Sequence, residues 1–389
     1  MVEYKKCALS EIGSIVSGAT PKTSVKEYYG GNIAWITPAD LSGYTSKYIS
    51  HGTRYLTEEG YNSCSTQLMP KGTVLFSSRA PIGYVAIADN PVCTNQGFKS
   101  IVPNECIDSE FLYYQLISMR KELQDMGSGT TFKELSAKRL AEVQLIVPLI
   151  SEQKRIVARI EELLSQLDTC VETLNKTKVQ LAVYRQAVLK EAFEEISIKV
   201  PFGSITESRL GKMLDKDKNV GIPRKYLRNI NVRWFEFDLN DLLEMKIENN
   251  EVDKYSIKKN DLVICEGGEP GRCAVWKYEE SIFYQKALHR VRFIDGSNPY
   301  FYMYYMWYAP QTGLLKQYFT GSGIKHLTGQ SLELIPVPIA DVSFQDSIVY
   351  SIESRLSVCN NIDQTVNIVL QQADAMRQSI LKQAFEGRL

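Results

Sequence analysis

Long apolar runs are missing from this chain. No stretch of its 389 residues approaches 18 uninterrupted apolar positions, so no transmembrane helix is expected. The opening residues MVEYKKCALSEIG hold no apolar segment of the kind a secretory leader carries, which predicts a cytoplasmic protein. Net charge is missing too. Lys+Arg and Asp+Glu both number 45. That excludes a uniformly basic DNA-coating chain and leaves room for a local basic face. The eight cysteines, at 7, 64, 93, 106, 170, 265, 273 and 359, contain no C-x-x-C pair. They read as reduced thiols rather than a disulfide framework or a zinc site. His51, His289 and His326 are scattered, with no H-E-x-x-H spacing, so no bound metal is expected.

Catalytic signatures are absent as well. There is no G-x-x-x-x-G-K-[ST] loop, no G-x-S-x-G elbow and no G-x-G-x-x-G opening a helix after a strand. Asn298-Pro-Tyr lacks the second proline of the Asn/Asp-Pro-Pro-Tyr/Phe motif of amino-methyltransferases. The aromatic run behind it predicts a helix start. Neither a catalytic residue nor a cofactor is expected on this chain.

What is present is ordinary globular composition, 44% hydrophobic and 23% charged, and a length suited to two or three domains. The chain is also doubled, at a separation of about 190 residues. Arg185-Gln-Ala-Val-Leu-Lys-Glu-Ala-Phe-Glu194 returns as Arg377-Gln-Ser-Ile-Leu-Lys-Gln-Ala-Phe-Glu386, identical at seven of ten positions. Gly127-Ser-Gly129 returns as Gly321-Ser-Gly323, and Val147-Pro-Leu149 as Val337-Pro-Ile339. Gly13-Ser-Ile15 returns as Gly203-Ser-Ile205, and Phe111-x-x-Tyr114 as Phe301-x-x-Tyr304. The order is kept, which marks a tandem duplication of a domain-plus-helix unit.

Each unit begins with a compact α+β part, at residues 1–150 and 197–340. Strands are predicted at Gly72–Phe76, Tyr84–Ile87, Asp261–Cys265 and Cys273–Trp276, and a helix over Ser109–Gln124 with Asp108 or Ser109 as N-cap. Each unit ends in a long helix, at 151–196 and 341–389. Between Ser151 and Glu195 there is neither proline nor glycine. Apolar positions alternate steps of four and three: Ile156, Ile160, Leu163, Leu167, Cys170, Leu174, Leu181, Tyr184 and Val188, with Thr177 in the one polar gap. That spacing is a coiled-coil seam rather than the stripe of an ordinary core helix. The copy reads Ile348, Ile352, Arg355, Cys359, Ile362, Val366, Val369, Ala373, Met376 and Ile380. Because one chain carries both seams, the simplest partner of each helix is the other. The predicted architecture is two similar globular domains separated by two long helices that form an antiparallel intramolecular coiled coil, as a pseudo-twofold tandem repeat.

Several loops in each globular part combine glycine with polar donors. Glycine lets backbone amides approach phosphates, while Arg, Lys, Asn, Gln and Ser can meet base edges. Candidate DNA-binding residues in the first half are Thr20, Lys22, Ser78, Arg79, Asn95, Gln96, Lys99, Thr130 and Lys133. In the second they are Arg228, Asn229, Arg272, Gln285, Lys286, Arg290 and Lys325. Arg272, Lys286 and Arg290 are the most attractive, against the plainer reading of ion pairing with Glu266 and Glu269. Any one of these loops taken singly reads as a plain turn; the weight comes from several in matching places. Trp35, Trp234 and Trp276 lie in strand-like contexts and read as core rather than base-stacking platforms.

Together these residues resemble the specificity subunits of type I restriction–modification systems, over essentially the whole chain. Ser17-Gly-Ala-Thr-Pro-Lys22 with Gly30-Gly-Asn-Ile-Ala-Trp-Ile36 resembles the opening of their target-recognition domains. Ser77-Ser-Arg-Ala-Pro-Ile-Gly83 with Asn95-Gln-Gly-Phe98 resembles the middle, and Val147 to Val157 the junction into the first conserved helix. Lys225 to Asn231 and Gly267 to Trp276 are the second-domain counterparts. The second junction, Ala340 to Asp346, keeps Gln345 but loses the Glu-Gln-Lys-Arg run. The resemblance implies a non-catalytic subunit whose two domains each bind one half of a split, asymmetric sequence in double-stranded DNA. It implies helices that set the spacing and dock two modification subunits, which bind S-adenosylmethionine and methylate adenine. Restriction subunits would join the full complex. The competing classes are a catalytic DNA methyltransferase or nuclease, and a coiled-coil scaffold indifferent to DNA.

Overall fold

The computed structural model describes residues 5–79, 81–129, 133–215 and 219–388. The chain divides into two compact units, Met1–Leu174 with Ile368–Leu389, and Asn175–Asn367. Each holds one mixed α/β globular part and a portion of two long helices.

In the first unit a five-stranded sheet runs in the order Gly13–Ser17, Lys99–Pro103, Val74–Phe76, Val85–Ala88, Tyr48–Ile49. A three-stranded sheet joins Arg54–Leu56, Tyr29–Ile36 and Cys93–Thr94. Val74-Leu-Phe76 is fully buried because both of its faces meet apolar layers. Side chains alternate along a strand. Val74, Phe76, Ile87 and Ile101 therefore face one cluster, with Phe111, Leu112 and Leu116. Leu75, Ala86 and Ala88 face another, with Ala34, Ile36 and Phe98. Helix α1, Ser109–Ser118, starts where the Asp108 carboxylate accepts the amides of Glu110 and Phe111 at 3.0 and 3.1 Å. It stops at Met119, where ψ is 6°, and a separate short helix, Arg120–Asp125, follows. The single helix expected over 109–124 is thus two.

The second unit repeats the plan. One four-stranded sheet is ordered Thr206–Leu210, Leu288–Phe293, Leu262–Cys265, Cys273–Val275. The other is Leu243–Ile247, Ile222–Leu227, Ile282–Tyr284, Ser256–Ile257. Leu262 and Ile264 face the cluster of Phe301 and Tyr302, whereas Val263 and Cys265 face that of Trp276 and Tyr284. Turn glycine Gly72 (φ 89°) has Asn260 (φ 69°) at its repeat position, two residue types that tolerate the left-handed region. The aromatic helix starts as the Asn298-Pro pair predicts, with the Asn298 side chain accepting the Tyr300 amide at 2.9 Å and Pro299 in the first turn.

The longer helices that follow α1 are α2 at Ile150–Glu194, α3 at Pro299–Tyr308 and α4 at Val342–Phe385. In the first unit α2 contributes Ile156, Val157 and Ile160, and α4 contributes Leu381 and Ala384, to the core under α1. Phe385 meets Phe111 edge-on at 5.3 Å. In the second unit Val188, Leu189 and Phe193 of α2 join Val349, Ile352 and Leu356 of α4 in the core around α3. Phe193 meets Phe301 edge-on at 5.2 Å. Phe193 and Phe385 are the same position of the repeated segment, and Phe111 and Phe301 are likewise related.

Within the second unit the helix portions run antiparallel. Lys178 donates to Asn367 at 2.9 Å, Arg185 to Asn360 at 3.1 Å, and Arg355 to Glu191 at 2.9 Å. Within the first, Arg377 pairs with Asp168. The seam differs from the expected one in phase. Ile156, Ile160, Leu181, Val188, Ile352 and Val366 are buried, and Leu163, Leu167, Leu174 and Ile380 half-buried. Ile362 and Val369, however, are 40% and 38% exposed. The inward positions are Asp363, half-buried and 3.7 Å from Arg185, and Leu370. Met376 is exposed while Arg377 turns inward; Cys170 is exposed while Val171 turns inward. Residues one step apart on a helix differ by about 100°, so choosing the more apolar neighbour shifts the seam onto a flank. Cross-helix ion pairs let Asp363 and Arg377 occupy the inward places.

Two further features recur. Each globular part is closed by an antiparallel pair of its first and last strands, Lys5–Ala8 with Gln144–Val147 and Lys199–Pro201 with Pro336–Pro338. Each is also tied to the first turn of a long helix by a buried glutamine. Gln153 Oε1 accepts the Asp108 amide at 2.8 Å, and its Nε2 donates to Cys106 O at 2.9 Å and Pro148 O at 2.8 Å. Gln345 Oε1 accepts the Asn298 amide at 2.8 Å, and its Nε2 donates to Ala340 O at 2.8 Å and Ser297 Oγ at 3.3 Å.

Candidate nucleic-acid interface

In the first unit the candidate loops converge at one end of the sheets. Gly18 leaves no room for a side chain, since a Cβ there would lie 2.1 Å from Asn95 O. The 17–20 and 94–97 loops can therefore touch. Trp35 Nε1 donates to Ala19 O at 3.1 Å, and the Thr20 hydroxyl donates to Gln96 Oε1. Trp35 itself is 3% exposed, a core residue as read from the sequence. Asn95 Oδ1 accepts the Gly97 amide at 2.8 Å, turning the chain so that Gln96 points out. Lys99 and Arg79 flank Glu134, at 3.6 and 3.9 Å. Lys22 and Lys133 are exposed. Ser78 requires correction. It is completely buried, and its hydroxyl donates to Gly97 O at 3.2 Å, so it braces the loop instead of facing DNA. Thr130 lies outside the described residues.

In the second unit Asn229 and Arg272 are joined. Arg272 Nη2 donates to Asn229 Oδ1 at 3.0 Å and Nη1 to Glu269 at 2.9 Å, while Asn229 Nδ2 donates to Gly267 O at 2.5 Å. Trp234 Nε1 donates to the other Glu269 oxygen at 2.8 Å, leaving this indole half-buried; Trp276 is core. Arg228 reaches Asp241 at 2.6 Å. Gln285 is half-buried beside Lys212, and Lys286 is exposed. The arm carrying Lys325 folds onto Gly267 through His326. Arg290 is the second correction. It is 2% exposed, with Nη1 donating to Ser256 O at 3.1 Å and Nη2 reaching Glu207 at 3.3 Å. Its strand is covered on both faces, so the guanidinium satisfies carbonyls of the neighbouring sheet and cannot reach a ligand.

Other residues that shape these surfaces were not singled out by the sequence. Lys47 donates to Glu110 of α1 at 2.6 Å and also pairs with Glu161 of α2. Burial opposes the Lys47 charge, but the two carboxylates outweigh it and hold the ammonium above the usual lysine range. Burial and the Glu110 bond push the Tyr48 hydroxyl up to about 12. The clamp fixes the 44–47 loop and the start of the Tyr48–Ile49 strand against both helices. Glu134 and His326, which occupy matching places at the base of the two arms, were likewise missed. Their only signal is their position just after the repeated Gly-Ser-Gly.

Among the described residues no helix is long and apolar enough to cross a membrane. The model of one family, the type I restriction modification DNA specificity domain, matches residues 1–183 and again residues 205–372. The chain belongs to that family. The MjaIX specificity subunit of Methanocaldococcus jannaschii is 38% identical over 242 residues, 58% of this chain and 55% of that one. The HindI specificity subunit of Haemophilus influenzae is 33% identical over 41% of this chain and 36% of its own length. These matches thus span about half or less of those relatives. The EcoKI specificity subunit of Escherichia coli is 24% identical over 84% of this chain and 76% of that one. Among solved structures, the HsdS subunit from Thermoanaerobacter tengcongensis superposes with a TM-score of 0.69 at 16% identity, covering 99% of this chain and 97% of that one. A chain solved in work on complex assembly and conformational transition of the type I R-M system superposes with a TM-score of 0.75, also at 16% identity, over the whole of both. At that identity the superpositions speak for the fold.

Proposed function

We propose that this chain is the DNA-reading subunit of a type I restriction–modification complex. Residues 1–150 and 197–340 are its two target-recognition domains, each reading one half of a bipartite, asymmetric site in double-stranded DNA. Residues 151–196 and 341–389 pair as an antiparallel coiled coil related by a pseudo-twofold axis. The helices set the spacer and dock two methyltransferase subunits, which carry the S-adenosylmethionine; restriction subunits join the full complex. The chain itself is non-catalytic and cytoplasmic. The single observation that carries this reading is the family match falling twice, once on each half of a doubled sequence. The paired loops support it: in each half a glycine-rich arm and a set of Arg, Lys, Asn and Gln side chains gather on one end of the sheets.

The test is selection from a randomised duplex pool by the full chain, with salt varied. Recovery of two unlike half-sites at a fixed spacing, and binding that weakens linearly in log salt, are expected. Four residues inserted in phase into each long helix add about 6 Å and should lengthen the spacer by roughly two base pairs with both half-sites kept. Retention of S-adenosylmethionine by the chain alone, or binding indifferent to sequence, would point to a methyltransferase or a scaffold.

A further inference from the structure

Glu134 lies beside the Gly127-Ser-Gly129 segment with its backbone held from two sides. It exchanges both backbone hydrogen bonds with Ser128, at 2.9 and 3.0 Å, and bridges to Arg79. The next amide, of Leu135, donates to Ser78 O at 2.9 Å. The side chain is 40% exposed, and its oxygens lie 3.6 Å from Lys99 Nζ and 3.9 Å from Arg79 Nη1. These are ion contacts, longer than hydrogen bonds of about 2.7–3.2 Å. A carboxylate offers about four acceptor positions, so most of its capacity is not taken up by the two cations. Set among cations on a DNA-reading surface, a carboxylate repels phosphate and lowers general affinity. What it can satisfy is the exocyclic amino group of cytosine or adenine in the major groove.

We propose that Glu134 is a specificity-determining side chain of the first unit: it accepts a hydrogen bond from an exocyclic base amino group and turns away any duplex that offers a phosphate there instead. Arg79 and Lys99 hold the carboxylate in place and offset its charge. The inference rests on the DNA-reading function proposed above. A neutral isostere at this position would admit one more phosphate, which by counterion release is worth about eightfold in affinity near 0.1 M salt.

The experiment compares the full chain with Glu134→Gln, and with Glu142→Gln as a charge-matched control at an exposed position after the short helix Ala137–Ala141. Each is titrated with a duplex of random sequence over a range of KCl, then used to select from a randomised pool. Glu134→Gln should bind the random duplex about eightfold tighter, with a salt slope steeper by about one. Its selected sequences should move toward adenine, which a glutamine amide pairs with through both its oxygen and its nitrogen, at one position of one half-site, while Glu142→Gln behaves as wild type. Unchanged affinity, slope and selected sequence in Glu134→Gln would overturn the proposal, as would an equal shift in Glu142→Gln. A wild-type chain that binds no duplex in a salt-dependent way would instead reject the DNA-reading function itself.

Discussion

Replacing Gln153 by alanine should loosen the first unit through one identifiable set of groups. The side chain is fully buried and makes three hydrogen bonds with its single amide. Alanine leaves the Asp108 amide, Cys106 carbonyl and Pro148 carbonyl without it. Cys106 is exposed, so its carbonyl can turn to water. The other two stay dry, and an unsatisfied buried group costs about 1–3 kcal/mol, which gives a loss of roughly 2–6 kcal/mol. Gln153→Met fills the same volume without hydrogen bonding, so the difference between the two variants isolates the cavity. Gln153→Glu turns an acceptor toward two carbonyl oxygens and should be at least as damaging. Chemical denaturation gives the size of the loss, and hydrogen exchange gives its place. The amides of Asp108 to Leu112 and the first turn of α2 should exchange faster. A loss below about 1 kcal/mol, with unchanged exchange at Asp108, would show that the glutamine does not hold the domain to its helix.

Three more outcomes follow from the same geometry. Arg290→Met should lower the stability of the second unit by roughly 2–4 kcal/mol, since buried carbonyls lose their donor; the salt slope of DNA binding should not move, and a flattened slope would restore Arg290 as a phosphate contact. Burial works against the Asp40 carboxylate, but hydrogen bonds from Thr53 and Thr37 outweigh it and hold its pKa below the ordinary value. Its contribution is therefore present above the unfolded pKa, about 4, and is lost as pH falls through the lower folded value; thermal melts from pH 6 to 3 should fall less steeply for Asp40→Asn than for wild type, and parallel curves would refute this. Iodoacetamide at neutral pH should label exposed Cys106 and Cys170 but spare Cys93 and Cys265, whose thiols burial pushes up to about 11; mass spectrometry of peptides reads the pattern, and early labelling of Cys265 would contradict its burial.

Much of the architecture was legible because duplication shows directly in the sequence and caps are local signals. Asp108 and Asn298 start their helices where short polar side chains before apolar runs predict. The long helices were legible from the absence of breakers. The seam was not fully legible, because periodicity of apolar residues cannot see an ion pair. Asp363 and Arg377 face inward on account of Arg185 and Asp168, which lie in a helix about two hundred residues earlier in the chain. The binding surface was the least legible part. A basic residue in a strand reads as exposed, yet Arg290 spends its charge on carbonyls of another sheet. Ser78 sits in a polar loop, yet that loop folds beneath Gly97. Which polar side chains are struts depends on tertiary partners that no spacing records.

The two-stranded neck of each globular part has a consequence for inheritance. In the second unit Lys199 lies opposite Pro338, so more than a hundred residues leave and rejoin the helical framework at adjacent points. A cassette cut at that neck can change its length, its strands and its loops without altering the register of α2 or α4. The framework asks of a newcomer an antiparallel pair of ends, a helix cap for the glutamine to grip and an apolar helix face to cover the long helices, as Phe301 covers Phe193. Under the DNA-reading function proposed above, recombination that exchanges such cassettes would rewrite half of the recognised sequence in one event. Point mutation would have to rebuild the same surface one contact at a time.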